Sequence, residues 1–143
     1  MMANGTQKRL AVLIDGDNVS PTIAAWLFNE IARLGEPIVK RVYGDKLENK
    51  WTAEIRKYAM EPRLVVPNTG KKNAADFAFV IDAMDLLHTG RFDGFCLVSS
   101  DSDFTRLAMR LRESGCTVYG FGSKRTPDSL RGALTAFISI DGA

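Results

Sequence analysis

The chain has 143 residues, of which 45% are hydrophobic and 25% are charged. This length fits one domain with a single sizeable core. The sequence contains no run of about 18 apolar residues, the length that a membrane-spanning helix requires. The 19 basic and 17 acidic side chains give a net charge of +2, which is too balanced to require a nucleic-acid partner from composition alone.

The first residues of the chain, 1–7, are polar and lack the apolar stretch and the small-residue cleavage site of a signal peptide. We therefore expect a disordered tail at 1–7, one folded domain at 8–141, a cytoplasmic location and no contact with membranes. The two cysteines, Cys96 and Cys116, lie in apolar runs and have no Cys-x-x-Cys spacing. They are predicted to be buried free thiols, so neither a disulfide nor a zinc site is indicated.

Strand-like and helical segments alternate along the rest of the chain. The first helix shows this clearly, because Ile23, Leu27 and Ile31 recur with a period of about 3.6 residues and Gly35 follows as a stop. The predicted strands are 10–15, 37–44, 63–66, 95–99 and 117–121. The predicted helices are 21–34, 48–60, 74–88 and 103–113, with a last helix–strand pair in 128–140. This alternation predicts an α/β fold with a mainly parallel sheet covered by helices on both faces.

Acidic side chains follow two of the predicted strands directly. The first strand runs into the sequence IDGDN at 14–18, and the strand at 95–99 runs into SDSD at 100–103. In parallel α/β sheets, ligands bind beyond the carboxyl ends of the strands, near the point where the strand order reverses. One crevice is therefore expected to hold all four aspartates of these stretches: Asp15, Asp17, Asp101 and Asp103.

Carboxylates that approach one another repel and lose water, so a cluster of them requires a compensating cation or a shared proton. The chain has a single histidine and no paired cysteines, so the ligands available in these clusters are oxygen atoms. Oxygen ligands favour Mg²⁺ or Mn²⁺ over zinc. Magnesium is usually held by one or two carboxylates together with waters and substrate phosphate, which indicates phosphate chemistry. The alternative is structural: Asp17 and Asn18 would form a turn, and Ser102 or Asp103 would cap the following helix.

A further acid lies at the start of the predicted helix 74–88. Asp76 is in its first turn, where a carboxylate interacts favourably with the helix dipole, and the preceding loop begins at a strand end, which directs Asp76 toward the same crevice. Asp85 is interpreted as solvent-exposed, and the role of Asp82 is left open. The face of this helix that packs on the core is predicted to be an apolar stripe of Phe77, Val80, Ile81, Met84 and Leu87.

The order of these motifs resembles that of the NYN domain family, a branch of the PIN-like metal-dependent ribonucleases that includes LabA-type bacterial proteins. The resemblance spans about residues 8–141 and rests on IDGDN, KKNAADFAFVIDAMDLL, LVSSDSDF, GCTVYGFG and TPDSLRGALTAFISID, in that order. It implies a three-layer α/β/α PIN-like fold with a mainly parallel central sheet, an acidic site for Mg²⁺ or Mn²⁺, and RNA as substrate or ligand. The catalytic and metal-binding residues implied by the motifs are Asp15, Asp76, Asp101 and Asp103.

Residues that contact the substrate are expected beside these acids. In-line cleavage of a phosphodiester needs an activated water and stabilisation of the developing charge, and because bound metal supplies both, no histidine base is required. The sole histidine, His88, is predicted to lie at a helix end, at the surface or as a cap. Basic residues after strand ends would hold substrate phosphates with little base specificity. The candidate substrate-binding residues are Asn18, Asp17, Ser100, Lys71, Lys72, Lys124 and Arg125.

Two other functions are compatible with the sequence. A haloacid-dehalogenase-type phosphatase also begins with a strand that ends in Asp-x-Asp, as Asp15 and Asp17 do, but Val19 stands where that family has a threonine. A non-catalytic RNA-binding or regulatory module would keep the same fold and even the metal. The expected macromolecular partner is RNA, and a domain of this size is also compatible with a homodimer or with a separate RNA-binding domain as partner.

Overall fold

The computed structural model describes residues 7–65 and 73–143, without the side chains of residues 48 and 49. Apart from Gln7, the predicted tail lies outside the described residues, and so do Lys71 and Lys72. Within the described ranges the chain forms one sheet with helices packed against it.

Strands and helices alternate through the described residues, as the sequence predicts. The strands are β1 (Arg9–Asp15), β2 (Glu36–Gly44), β3 (Glu61–Leu64), β4 (Gly94–Val98), β5 (Thr117–Gly122) and β6 (Ala136–Ser139). The α-helices are α1 (Ala24–Leu34), α2 (Leu47–Lys50), α3 (Thr52–Lys57), α4 (Ala74–His88), α5 (Thr105–Glu113) and α6 (Asp128–Ala133). Short 3-10 turns at Pro21–Ile23 and Ser102–Phe104 precede α1 and α5.

The strands of the sheet all run parallel, in the order β3-β2-β1-β4-β5-β6. The chain builds outward from β1 to β3, returns through α4, and then builds outward on the other side from β4 to β6. The strand order therefore reverses between β1 and β4, whose carboxyl ends lie side by side, and this is where parallel α/β sheets bind ligands.

Two apolar cores lie on the two faces of the sheet. The core beneath α1, α2 and α3 includes Leu27 and Trp51, and the core beneath α4, α5 and α6 includes Phe79 and Leu111. The predicted α/β/α fold with a parallel central sheet is thereby confirmed. Because side chains alternate between the faces along a strand, Asp15 ends β1 on the side of α4.

Helix α4 is buried through a different face from the predicted one. Phe79, Ala83 and Leu86 are buried, whereas Phe77 and Ile81 are 61% and 60% exposed. The remaining residues of the predicted stripe are only partly buried. The prediction was wrong because α4 is apolar around most of its circumference, so the helical period alone did not identify the side that faces the sheet.

Two smaller predictions also differ from the structure. Cys96 is a buried free thiol as predicted, but Cys116, just before β5, is only half-buried. The helix predicted at 48–60 is instead the pair α2 and α3, which meet at the fully buried Trp51. In the parts of the chain that the structure describes, no helix combines the length and the apolar character needed to span a membrane.

Candidate metal centre

Asp15 closes β1 and is held by side chains from two neighbouring segments. It is only 4% exposed. Asn18 donates from Nδ2 to both of its carboxylate oxygens at 3.1 Å, and Ser99 donates from Oγ to Oδ2 at 3.0 Å. These donors replace the water that burial removes. The Asp15 carboxyl is therefore fixed in position by the protein alone.

The loop after β1 is fixed mainly through the backbone of Gly16. This residue donates its N–H to the carbonyl of Tyr43 at 2.7 Å and accepts the buried indole N–H of Trp51 at 2.9 Å. A Cβ at Gly16 would lie 2.8 Å from the Tyr43 carbonyl oxygen, so the close approach requires glycine. The carboxylate of Asp17 accepts the backbone N–H of Asp45 at 3.2 Å. Asp17 therefore stabilises this loop, and it does not belong to the group of carboxylates formed by Asp76, Asp101 and Asp103.

The second acidic stretch forms the 3-10 turn immediately after β4. Asp101 caps this turn by accepting the backbone N–H of Asp103 at 2.9 Å. Ser99 connects the turn to β1, because its Oγ accepts the Asp101 N–H at 3.1 Å while donating to Asp15. Neither Ser102 nor Asp103 caps α5, whose first residues have no side-chain cap, and the side chain that caps the preceding 3-10 turn is that of Asp101.

Asp76, in the first turn of α4, completes a group of three carboxylates. One oxygen atom from each of Asp76, Asp101 and Asp103 lies within 4.8 Å of the others. Asp15 adjoins this group, since it lines the same cavity as Asp101 and Ser99 Oγ bonds to both residues. The structure thus brings the four predicted catalytic and metal-binding aspartates to one edge of the sheet.

The electrostatics of these carboxyls differ from one residue to the next. Burial, followed by the charges of Asp101 and Asp15, raises the pKa of Asp76 to about 7. Burial also raises the pKa of Asp15, while hydrogen bonds from Asn18 and Ser99 oppose that rise. Near neutral pH the Asp76 carboxyl therefore exchanges between protonated and ionised forms. A cation beside it would favour the ionised form.

The donor atoms of this cluster fit a hard divalent cation. The cluster offers carboxylate oxygens, and no histidine or cysteine of the described ranges joins it. Mg²⁺ and Mn²⁺ prefer oxygen ligands of this kind, whereas zinc sites favour nitrogen and sulfur. A cation would also offset the repulsion among the acids. The grouped carboxylates and Asp15 are thus the residues that would hold such an ion.

A cavity of about 370 Å³ opens beside Asp15 and Asp101. Its other lining residues are Asn18, Val19, Ser99, Ser100, Ser123 and Ile140. The Oγ of Ser100 accepts the N–H of Ser123 at 2.8 Å, which joins the end of β4 to the loop after β5. Lys124 and Arg125 follow on this loop and are exposed. Two of the predicted substrate-binding cations therefore lie on a loop that borders the cavity.

Three residues that hold or flank the centre were not predicted from the sequence. Ser99 links Asp15 to the Asp101 turn, and its signal was the serine pair that directly precedes Asp101. Trp51 and Lys50 both donate to carbonyls of the loop after β1, with Lys50 Nζ 3.2 Å from the Asp17 carbonyl oxygen. No sequence pattern identifies a side chain whose partner is a distant backbone carbonyl.

A parallel α/β/α fold with an acidic cluster beyond two central strands is the arrangement of PIN-like nuclease domains. The family model of the NYN domain matches residues 9–141, nearly the whole chain. The chain therefore belongs to the NYN domain family, as the order of its motifs predicts.

A solved structure has the same fold. It is the crystal structure of a protein of unknown function, VPA0982, from Vibrio parahaemolyticus RIMD 2210633. The two proteins are 21% identical, with a TM-score of 0.80, and the alignment covers 99% of this chain and 98% of that one. At this identity the likeness shows the fold alone. No curated protein matches the chain at a significant level.

Proposed function

We propose that the protein is a metal-dependent ribonuclease that hydrolyses phosphodiester bonds in RNA. The observation that carries the proposal is the grouping of three carboxylates within 4.8 Å of one another, beside the buried Asp15. Ionised carboxyls at these distances repel one another unless a cation lies between them. Electrostatic repulsion of this kind, with the raised pKa values that it causes, is typical of functional sites. Membership of a PIN-like nuclease family supports the same chemistry.

The residues proposed to hold Mg²⁺ or Mn²⁺ and to take part in catalysis are Asp15, Asp76, Asp101 and Asp103. A bound ion of this type supplies an activated water and stabilises the charge that develops on the phosphate oxygens. Asn18 and Ser99 hold the Asp15 carboxyl in place while it is buried. Asp76, whose pKa is about 7, would release its proton on ion binding, because a ligating carboxylate must be ionised.

The substrate would bind through its backbone beside these acids. Lys124 and Arg125 extend from a loop that is anchored to the end of β4 through Ser100, and their charges suit phosphate groups. Contacts of this kind position a nucleic acid without reading its bases. Among the predicted substrate residues, Asp17 has the least support, because its carboxylate already accepts the Asp45 N–H. The proposed substrate residues are Asn18, Ser100, Lys71, Lys72, Lys124 and Arg125.

Cleavage of labelled RNA tests the proposal. Purified protein is incubated with single-stranded and structured RNA in Mg²⁺, Mn²⁺ or EDTA, and the wild type is expected to cleave only with metal. Asp101→Asn should abolish this cleavage and leave RNA binding in place or tighter, because a negative charge facing phosphate is removed. Asparagine caps a turn as well as aspartate does, so the loss would not reflect unfolding of the turn.

Asp85→Asn is the matched control, because Asp85 is an exposed acid of α4 outside the grouped carboxylates. This variant should cleave as the wild type does. Cleavage that persists in Asp101→Asn would contradict the proposal. Binding of RNA by the wild type without cleavage would support the non-catalytic RNA-binding or regulatory module instead. The cytoplasmic location, and a homodimer or a separate RNA-binding domain as partner, stay predictions.

A further inference from the structure

Asp82 on α4 joins its helix to two strands through a single carboxylate oxygen. Its Oδ2 accepts the hydroxyl of Tyr43 at 2.7 Å and the guanidinium of Arg41 at 3.3 Å, both from β2. The Nε of Arg63 on β3 lies 3.2 Å from the same oxygen, as an ion pair without hydrogen-bond geometry. Asp82 therefore contacts β2 and β3 from the middle of α4.

These contacts are largely shielded from water. The side chains of Asp82 and Arg41 are 19% and 16% exposed. Burial, together with the bond to Asp82, raises the pKa of Tyr43, so Tyr43 remains a phenol that donates its hydrogen. Shielded hydrogen bonds to a charged acceptor are stronger and more directional than exposed ones. They hold α4 in one register along the strands.

The ring of Tyr43 extends the contact toward the grouped carboxylates. It packs against Phe79 of α4, with 5.2 Å between the ring centroids. Phe79 in turn stacks on Phe104 at 4.3 Å. Phe104 is 1% exposed and is the last residue of the 3-10 turn that Asp101 caps. A continuous series of packed groups therefore connects Asp82 to that turn.

We propose that Asp82 is a positioning residue of the metal centre, which sets the register of α4 and thereby the distance between Asp76 and the Asp101 turn. The inference rests on the proposed function, because it concerns the same centre. Asp82 lies about 9 Å along the axis of α4 from Asp76, and its Oδ2 already has protein donors. It acts through the helix and is not a ligand.

Tyr43→Phe is the mildest test, because it removes the hydroxyl that binds Asp82 and keeps the ring that packs on Phe79. The affinity of the purified full chain for Mn²⁺ is measured by calorimetry, and its melting temperature is measured in EDTA. Tyr43→Phe and Asp82→Asn should each weaken Mn²⁺ binding by about three- to tenfold. This is less than the loss of about 10- to 100-fold typical of groups bonded directly to metal ligands.

Ile31→Val controls for a general loss of stability. Ile31 is fully buried on α1, in the core on the other face of the sheet, so valine lowers the melting temperature without a contact to α4. This variant should bind Mn²⁺ as tightly as the wild type. If the role of Asp82 were merely structural, Mn²⁺ affinity would fall with melting temperature in all the variants alike, Ile31→Val included, and that result would overturn the inference.

The double variant Tyr43→Phe/Asp82→Asn shows whether the two residues act as one unit. If they do, the double variant loses no more Mn²⁺ affinity than the more affected single variant. If instead the double variant loses the product of the two single fold-changes, Tyr43 and Asp82 act independently, and that result would overturn the inference that they act together. Wild-type Mn²⁺ affinity in both single variants would overturn this inference and leave the proposed function standing. Failure of the wild-type protein to bind Mn²⁺ would instead overturn the metal centre itself.

Discussion

Two carboxyls of the proposed metal centre, Asp15 at the end of β1 and Asp76 at the start of α4, differ in how the protein holds them. Asp15 is almost fully buried and receives hydrogen bonds from Asn18 and Ser99. Asp76 is only partly buried, and the charges that act on it come from other acids, Asp101 first. Burial raises the pKa of both carboxyls, but hydrogen bonds oppose the rise only at Asp15. Asp76 is therefore the more unfavourable of the two until a cation or a proton arrives.

The difference follows from how each position is built. The carboxyl of Asp15 receives one donor from its own loop and one from the adjacent strand end, so folding of the sheet is enough to satisfy it. Asp76 lies in the first turn of helix α4, and its carboxyl is beside those of Asp101 and Asp103. In the proposed mechanism the first carboxyl serves as a fixed reference, and the second responds to ion binding.

The largest expected effect is on ion binding by Asp76→Asn. This substitution should weaken Mn²⁺ binding by about 100-fold or more. Residues that only hydrogen-bond to a metal ligand already contribute about 10- to 100-fold to metal affinity, and a ligand itself should contribute more. In EDTA its melting temperature should stay unchanged or rise, since a repelled carboxylate is removed. Calorimetric titration with Mn²⁺ and thermal unfolding in EDTA measure the two effects.

Asp85→Asn serves as the control for Asp76→Asn on the same helix, and it should change neither quantity. A clear fall in melting temperature of Asp76→Asn in EDTA would show that favourable contacts hold the Asp76 carboxyl, as hydrogen bonds hold that of Asp15. The contrast between the two positions would then be wrong.

The next largest effect is the stability of Asp15→Ala. It should destabilise the metal-free protein by about 1–3 kcal/mol, because the hydroxyl of Ser99, which is only 5% exposed, would lose its acceptor in a buried place. For a chain of this size the corresponding fall in melting temperature is about 4–12 °C. Asp15→Asn keeps an acceptor oxygen and should lose much less. If Asp15→Ala and Asp15→Asn lose the same stability, hydrogen bonding would not be the reason that a carboxyl can be buried at this position.

A smaller effect concerns the cations near the cavity. Lys124→Ala with Arg125→Ala should weaken RNA binding several-fold for all sequences alike and lower the salt dependence by up to about one unit per lost contact. The melting temperature in EDTA should not change, because these side chains are expected to serve the substrate. A fall would mean that they offset the repulsion around Asp76. Arg33→Ala, in the last turn of α1, is the control.

A further effect is the pH dependence of stability without metal. The folded state raises the pKa of Asp76 from 3.8 to about 7, so between these values it binds more protons than the unfolded state. Stability should therefore be highest at the acidic end of this range, fall as pH rises through it, and show no further change from this group above it. Thermal unfolding in EDTA at several pH values measures this slope, which Asp76→Asn should reduce.

Added Mg²⁺ should stabilise the wild type most above about pH 7, because the ion competes with the proton at Asp76. A slope that is identical in the wild type and in Asp76→Asn would contradict the assignment of the proton to this carboxyl. Asp15 contributes in the same direction, since burial raises its pKa as well.

Much of the fold could be predicted because its signals are local. Gly35 ends α1 as predicted, β1 ends at Asp15, and α4 spans 74–88 as the pattern indicates. The apolar stripe on α4 could not be predicted in the same way. Its residues are apolar on several sides, and only the position of the sheet shows that Phe79 is inside while Phe77 is exposed.

The amino-acid sequence by itself determined the order of strands and helices, because residue periods and strand ends are properties of short segments. The four aspartates of the proposed centre followed from the order of the motifs and their resemblance to the NYN domain family. The tertiary structure decided which carboxyls share a site. Asp17 bonds to Asp45 and Asp82 bonds to Tyr43, whereas Asp76 meets Asp101 and Asp103. These outcomes depend on strand register and on how helices lie across the sheet. Contacts between residues distant in the chain decide both, and no short pattern records them.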